Sequence, residues 1–292
     1  MAGFAHEAPF PDYSQVLDEM ATTGYTGTEL GDWGFLPTDA HTLQPELKRR
    51  GLELVGALVP WPLADRARHR AGIDAALRTA RLVAVCAGGS ASGGAPFLIL
   101  ADDNGADPVR ARFAGRIRSD QGLSDDQRRN FARGAELVAK AVLDETGLRT
   151  VFHHHCAGFV ETPAETEELL DTTSPELLGL CFDTGHWAYA GGDPVNAVKR
   201  FGERMWHVHF KDCSEDVAER ATREAWDYFT AVRNGIFYGL GEGDVDLASV
   251  LGELRKQNYS GWIVVEDELP PGMGEPLESA WRDRAYMRSL GI

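Results

Sequence analysis

Short apolar runs rich in β-branched and aromatic residues alternate along the chain with longer segments whose apolar positions recur at helical spacing. Residues 13–23 read as a helix that leads through Gly24 and Gly27 into a short run ending at Glu29. Residues 40–50 read as a helix stopped by Gly51, before the apolar run 52–59, which Pro60 ends. The Ala/Arg/Leu-rich segment 64–85 reads as helix and 97–101 as a buried strand. The clearest helix is 124–146: Ser124 stands at its N-cap, Asp125 and Asp126 fill its first turn, and Gly147 stops it. Strand 149–154, helix 163–171, strand 178–182, helix 194–203 and strand 206–210 follow. An irregular helical insert at 214–232, helix 246–257, strand 262–266 and helix 277–289 complete the pattern.

Strand followed by helix, repeated about seven times, specifies a parallel sheet with its crossovers outside. The runs LELVGALV and GWIVV are apolar without alternation, as strands covered on both faces are. A doubly wound sheet is the rival, but its glycine-rich turn belongs between an early strand and helix. The nearest match, Gly239–Gly243, lies late in the chain with no strand leading into it. No linker, low-complexity tract or repeat divides the chain. The reading is α/β, a (β/α)8 TIM barrel forming a single domain over residues 1–292.

Composition narrows the partners. With 45 Asp+Glu against 29 Lys+Arg, the net charge of −16 argues against nucleic acid or an anionic membrane surface. No apolar run approaches the roughly 20 residues of a membrane helix. The first basic residue is Lys48, so the opening segment reads as no secretory signal. Four cysteines without a CxxC spacing read as reduced thiols, and the expected location is cytoplasmic.

Chemistry collects at strand ends. Of 9 His, His153, His154, His155, His186, His207 and His209 fall within one short stretch. RTVFHHH, GLCFDTGH, MWHVHFKD and GWIVVEDE each close a predicted strand. In a parallel barrel these ends converge on one mouth, and residues two apart share a strand face. His153 with His155, Asp183 with His186, His209 and Glu266 therefore meet there. Two imidazoles and two carboxylates suit Mn²⁺, Co²⁺, Mg²⁺, Fe²⁺ or Zn²⁺ rather than Ca²⁺. One histidine is ordinarily structural and Asp183 alone is explained by helix capping, but four such residues on successive strands favour one metal site.

Glu29 ends the early strand at the same mouth; its alternative is a salt bridge to a barrel arginine. Trp33, Trp61 and Trp187 follow strand ends, to stack on a sugar ring or to pack the core. Lys211 shares a face with His209, to polarise a carbonyl or donate a proton, or simply to neutralise acidic neighbours. Glu242 sits on a Gly-rich loop placed to close over the site, although turn formation alone explains its glycines, and Asp193 reads as a helix cap.

These motifs carry a resemblance. GYTGTELGDWGFLP, VFHHHCAGFVET, CFDTGHWAYAGGDP, HVHFKD, GLGEGDVD and GWIVVEDE are similar to the xylose-isomerase-like TIM-barrel superfamily of sugar isomerases and epimerases, closest to its inosose dehydratase branch. The resemblance implies one divalent metal held by Glu, Asp, His and Glu on four strands. Asp183, His209 and Glu266 match three of these positions. The first falls on the HHH run, where His153 aligns best and His155 is the alternative. With that Glu replaced, symmetric two-Glu epimerisation is disfavoured. A dehydratase needs one base and one acid, which Glu266 or a His with Lys211 supplies.

The implied activity is dehydration of 2-keto-myo-inositol or a related unphosphorylated keto sugar through a metal-stabilised enolate. His186, His207, Glu29 and Lys211 would shuttle protons or orient hydroxyls, and His155, Trp33 and Trp187 would bind substrate. The alternatives are an isomerase or epimerase using the same metal, an endonuclease-like phosphodiesterase, and a barrel kept only for binding. A homo-oligomer is the default for such enzymes. The superfamily begins with a strand, yet only MAGFAHEAP precedes the first helix, so the first strand is expected to be short or missing. Residues 1–9 or a partner subunit would then cover the open sheet edge.

Overall fold

The computed structural model describes residues 11–87, 94–269 and 272–292. Seven strands lie in chain order in one sheet: β1 (Gly27–Glu29), β2 (Glu53–Pro60), β3 (Phe97–Ala101), β4 (Arg149–His153), β5 (Leu178–Asp183), β6 (Met205–Phe210) and β7 (Ile263–Val265). All neighbouring pairs are parallel. Helix α1 (Tyr13–Thr23) precedes β1, and α2 (Ala40–Lys48), α3 (His69–Cys86), α4 (Pro108–Phe113), α5 (Asp125–Thr146) and α6 (Pro163–Thr172) lie in the connections up to β5. Helices α7 (Thr184–Tyr189) and α8 (Pro194–Phe201) lead to β6, α9 (Glu215–Arg223), α10 (Tyr228–Arg233) and α11 (Leu247–Lys256) to β7, and α12 (Pro276–Ser289) closes the chain. The architecture, over the described residues, is a nearly closed seven-stranded parallel barrel with helices outside, on the (β/α)8 TIM-barrel plan.

Side chains bridge the gap between β7 and β1. The Trp262 ring packs against Gly27, where an added Cβ would meet it at 3.2 Å. Outside, Arg284 and Arg288 of α12 donate to the carbonyls of Gly24 and Thr23 at the end of α1, each at 3.1 Å. The strand expected before α1, and the cover expected from 1–9, fall outside the described residues.

Local chemistry sets the helix starts. Asp12, Asp39, Asp107, Asp193, Asp227 and Asp246 each accept a backbone N–H in the first turn of their helix. Part of the acidic excess thus sits where the helix dipole favours it. Ser124 and Gly147, φ +75°, cap α5 as expected. Three differences stand out. The predicted helix 64–85 begins only at His69, after a 3₁₀ turn at Arg66–Arg68. The insert 214–232 divides into α9 and α10, separated by Ala225 in the left-handed region at φ +54°. Helix α4, too short for a readable periodicity, was not expected at all.

The barrel interior is layered. Ile99, Val151 and Cys181, one from each of β3, β4 and β5, form an apolar floor with Phe97, Leu58 and Trp206. Beside Gly179 the Trp206 ring lies so close that an added Cβ would meet it at 2.2 Å. This dry floor separates the mouth from the lower end of the barrel.

Truncating the floor therefore costs more than truncating the surface. Ile99→Ala, at a fully buried position, is expected to lower unfolding free energy by about 2–5 kcal/mol. Val109→Ala, 43% exposed, should stay within about 0.5 kcal/mol of wild type. Urea denaturation followed by circular dichroism measures both, and equal losses would contradict a packed floor.

Candidate active site

The two-residue period that puts Val151 and Cys181 in the floor puts His153 and Asp183 one step higher, at the strand ends. His209 comes from β6, and Glu266 is the residue after β7. One ligand atom from each of these four side chains lies within 4.8 Å of all the others. His209 Nδ1 is 2.7 Å from Glu266 Oε2 and 3.9 Å from Asp183 Oδ2.

Asp183 has two jobs, one per oxygen. Its Oδ1 accepts the His186 N–H at 2.8 Å and starts α7, which is the capping role. Its Oδ2 is buried without a hydrogen-bond partner, as is His153 Nδ1. Orphaned polar atoms in an interior are costly and call for an occupant. Burial is also the main reason the Asp183 carboxyl is pushed up to about 7, with Glu266 adding to it against Lys211 and His209. Two imidazoles and two carboxylates converging on unsatisfied atoms fit a divalent cation of borderline character.

A further carboxylate backs this group. His209 Nε2 donates to Glu29 Oε1 at 2.9 Å, and His207 Nε2 donates to the same oxygen at 2.6 Å. Glu29 is thus paired with two histidines rather than with an arginine. An imidazole held this way keeps Nδ1 toward the cluster, as outer carboxylates do for metal-bound histidines. Burial alone would raise Glu29, but His209 and His207 outweigh it and hold the carboxyl at about 2.

A second tier lies just above. Lys211 is fully buried, with Nζ 2.9 Å from Glu266 Oε1 and 2.7 Å from Glu268 Oε1. Burial opposes its charge, yet Glu266 and Glu268 more than compensate and keep the ammonium protonated. The rings of His155 and His186 are 3.8 Å apart, and ligand atoms of both lie within 4.8 Å of Glu268. Burial, the largest influence on each, pushes both imidazoles down toward the neutral form. His153 thus belongs to the lower group and His155 to the upper one. The sequence reading missed Glu268, although its two-residue step from Glu266 in VVEDE was visible.

Other expected residues lie elsewhere. Trp187 is buried between Phe182, Phe201 and His154, with ring centroids 5.2–6.0 Å away, and packs the core. Trp33 is 37% exposed beneath the Arg78 guanidinium of α3, 4.5 Å from its ring. Trp61 donates to the Arg68 carbonyl. His207 is committed to Glu29 and packs on Phe97 of the floor, ring centroids 5.7 Å apart. Glu242 faces Arg282 at 3.5 Å.

The model of the xylose isomerase-like TIM barrel family matches residues 17–290. The chain belongs to this family. An inosose dehydratase of Geobacillus kaustophilus is 33% identical, over 94% of this chain and 86% of its own length. One from Lacticaseibacillus casei is 29% identical, over 94% and 88%. Among solved structures, the probable 3-DHS dehydratase of Bacillus anthracis superposes with a TM-score of 0.68 at 16% identity, over 96% of this chain and 94% of its own. The 3-keto-D-glucoside 4-epimerase of E. coli gives 0.68 at 18%, over 97% of each. The member described here is an enzyme related to these dehydratases. Among its described residues no helix is long and apolar enough to cross a membrane.

The buried Asp183 carboxyl predicts a stability signature in metal-free protein. Its folded value of about 7 stands above the ordinary 3.8, so folded chains retain a proton that unfolded chains release. Stability is therefore lost as pH rises through that window. Asp183→Asn keeps a capping oxygen and removes the charge. The metal-free variant should melt higher than wild type at pH 8, by a margin that shrinks toward pH 5. A lower melting temperature for the variant at pH 8 would refute the assigned burial cost.

Proposed function

We propose that this enzyme is a divalent-metal-dependent dehydratase of a keto-cyclitol, with 2-keto-myo-inositol as the first substrate to test. The observation that carries the reading is the convergence of His153, Asp183, His209 and Glu266 around the unpartnered Asp183 Oδ2. The names of the relatives in sequence support the substrate class. A cation held by those four side chains supplies Lewis-acid polarisation of the ketone, which acidifies the neighbouring C–H.

The chain's own residues divide the remaining work. Glu266, kept ionised beside Lys211 and His209, takes the proton α to the ketone. Lys211 gives a proton to the departing hydroxyl, so that water leaves and a carbon–carbon double bond forms. Glu266 Oε1 and Lys211 Nζ stand 2.9 Å apart, which puts base and acid on one side of the ring and suits a syn elimination. The neutral rings of His155 and His186 orient the hydroxyls, and Glu29 holds His209 in place. The apolar floor beneath keeps bulk water from the enolate.

Having His153 where an epimerase of this superfamily carries Glu removes the opposed second base that reprotonation from the far side requires. That asymmetry favours elimination over epimerisation. Four cysteines, none of them paired, support a reducing cytoplasmic setting.

Incubated with Mn²⁺ or Co²⁺, the protein should convert 2-keto-myo-inositol to an ultraviolet-absorbing product lighter by one water. Chelation should abolish the reaction, and Asp183→Ala should lose both metal and turnover. Lys211→Met should retain metal while kcat falls by about 10²-fold or more. Mass spectrometry and metal analysis check these outcomes. An isomeric product of unchanged mass would replace the dehydratase by an isomerase, and full activity of metal-free Asp183→Ala would reject the mechanism.

A further inference from the structure

The motif VFHHHCAGFVET ends on Glu161, to which the reaction above gives no part. Glu161 is fully buried. Its Oε1 accepts the Gly115 N–H and its Oε2 the Ala157 N–H, both at 2.7 Å. Among the described residues Ala157 is one of three non-glycine residues with positive φ, +67°, a conformation that a side chain resists and that persists only when its surroundings impose it.

Further buried or half-buried charges grip the same loop. Asp102 Oδ2 accepts the Phe159 N–H at 2.9 Å, and Arg110 Nε donates to the Gly158 carbonyl at 2.7 Å. Glu165 binds Arg110 through both oxygens and accepts the N–H groups of Glu161 and Thr162. Within the loop, His155 N–H reaches the Val160 carbonyl and Gly158 N–H the His155 carbonyl, each at 3.1 Å. What this loop presents to the site is His155, whose ring lies tilted against that of His186 with centroids 3.8 Å apart.

We propose that Glu161 is a positioning residue: by tying the Ala157 and Gly115 amides together, it fixes the loop that presents His155 to the substrate. The assignment rests on the function proposed above. A carboxylate is specifically suited, because both of its oxygens accept. An isosteric Gln would turn an N–H toward one of the two amide donors. The expense of the arrangement is visible in the carboxyl itself, which burial raises to about 7. Groups kept in such positions are candidates for a functional role.

Glu161→Gln in the full, metal-loaded chain tests this. Metal content should match wild type, hydrogen exchange of residues 155–162 should quicken while that of β3 and β5 does not, and kcat should fall at least tenfold with KM changed less than threefold. A displacement of about 1 Å at a positioned group is enough for such a loss. Asp102→Ala, which frees the neighbouring Phe159 amide, should give the same pattern and serves if the first variant does not fold. Wild-type kcat in either folded variant, or unchanged exchange in the loop, overturns the assignment while leaving the function standing. A wild type that turns over no keto-cyclitol overturns the function and this assignment with it.

Discussion

Carboxylates and imidazoles crowded above an apolar floor are held together against their own desolvation, and the rest of the molecule is arranged around that cost. Asp183 Oδ2, His153 Nδ1 and the facing atoms of His209 and Glu266 share a space too small for each to keep a hydration shell. Ile99, Val151 and Cys181 below exclude water from that side. Partners above and behind supply part of the compensation: Glu29 behind His209, and Lys211 beside Glu266. What remains without partners is Asp183 Oδ2 together with His153 Nδ1. The proposed divalent cation would answer them, and two carboxylates would balance its charge.

That residual imbalance links stability to function. A core of this kind would be more stable with an amide at 183, yet an amide cannot hold the cation as a carboxylate does. The same logic holds for Lys211, whose ammonium is retained in a dry interior only because Glu266 and Glu268 flank it. Stiffness comes from the layers outside. Capping aspartates start the helices, arginines of α12 tie the last helix to the first, and a ring of buried charges holds the loop after β4.

Much of this was legible in the chain itself. Uniformly apolar runs gave a parallel sheet, and the two-residue strand period carried His153, Asp183, His209 and Glu266 to one rim. Three things were not legible. Trp187 and Trp33 follow strand ends just as site residues do, but a side chain beyond a strand has no fixed periodicity, and packing turned one into the core and the other onto α3. His207 shares a strand with His209, but the register shift between β5 and β6 accompanies its pairing with Glu29 at the floor. Glu268 lies past the last paired residue of β7, where spacing alone cannot say whether the extended backbone continues.

On the function proposed here, four side chains at the ends of four successive strands hold a single cation. Anomalous diffraction from crystals grown with Mn²⁺ or Co²⁺ tests it most directly. One peak within bonding distance of His153, Asp183, His209 and Glu266 is expected. A peak elsewhere, or none at saturating metal, would contradict it.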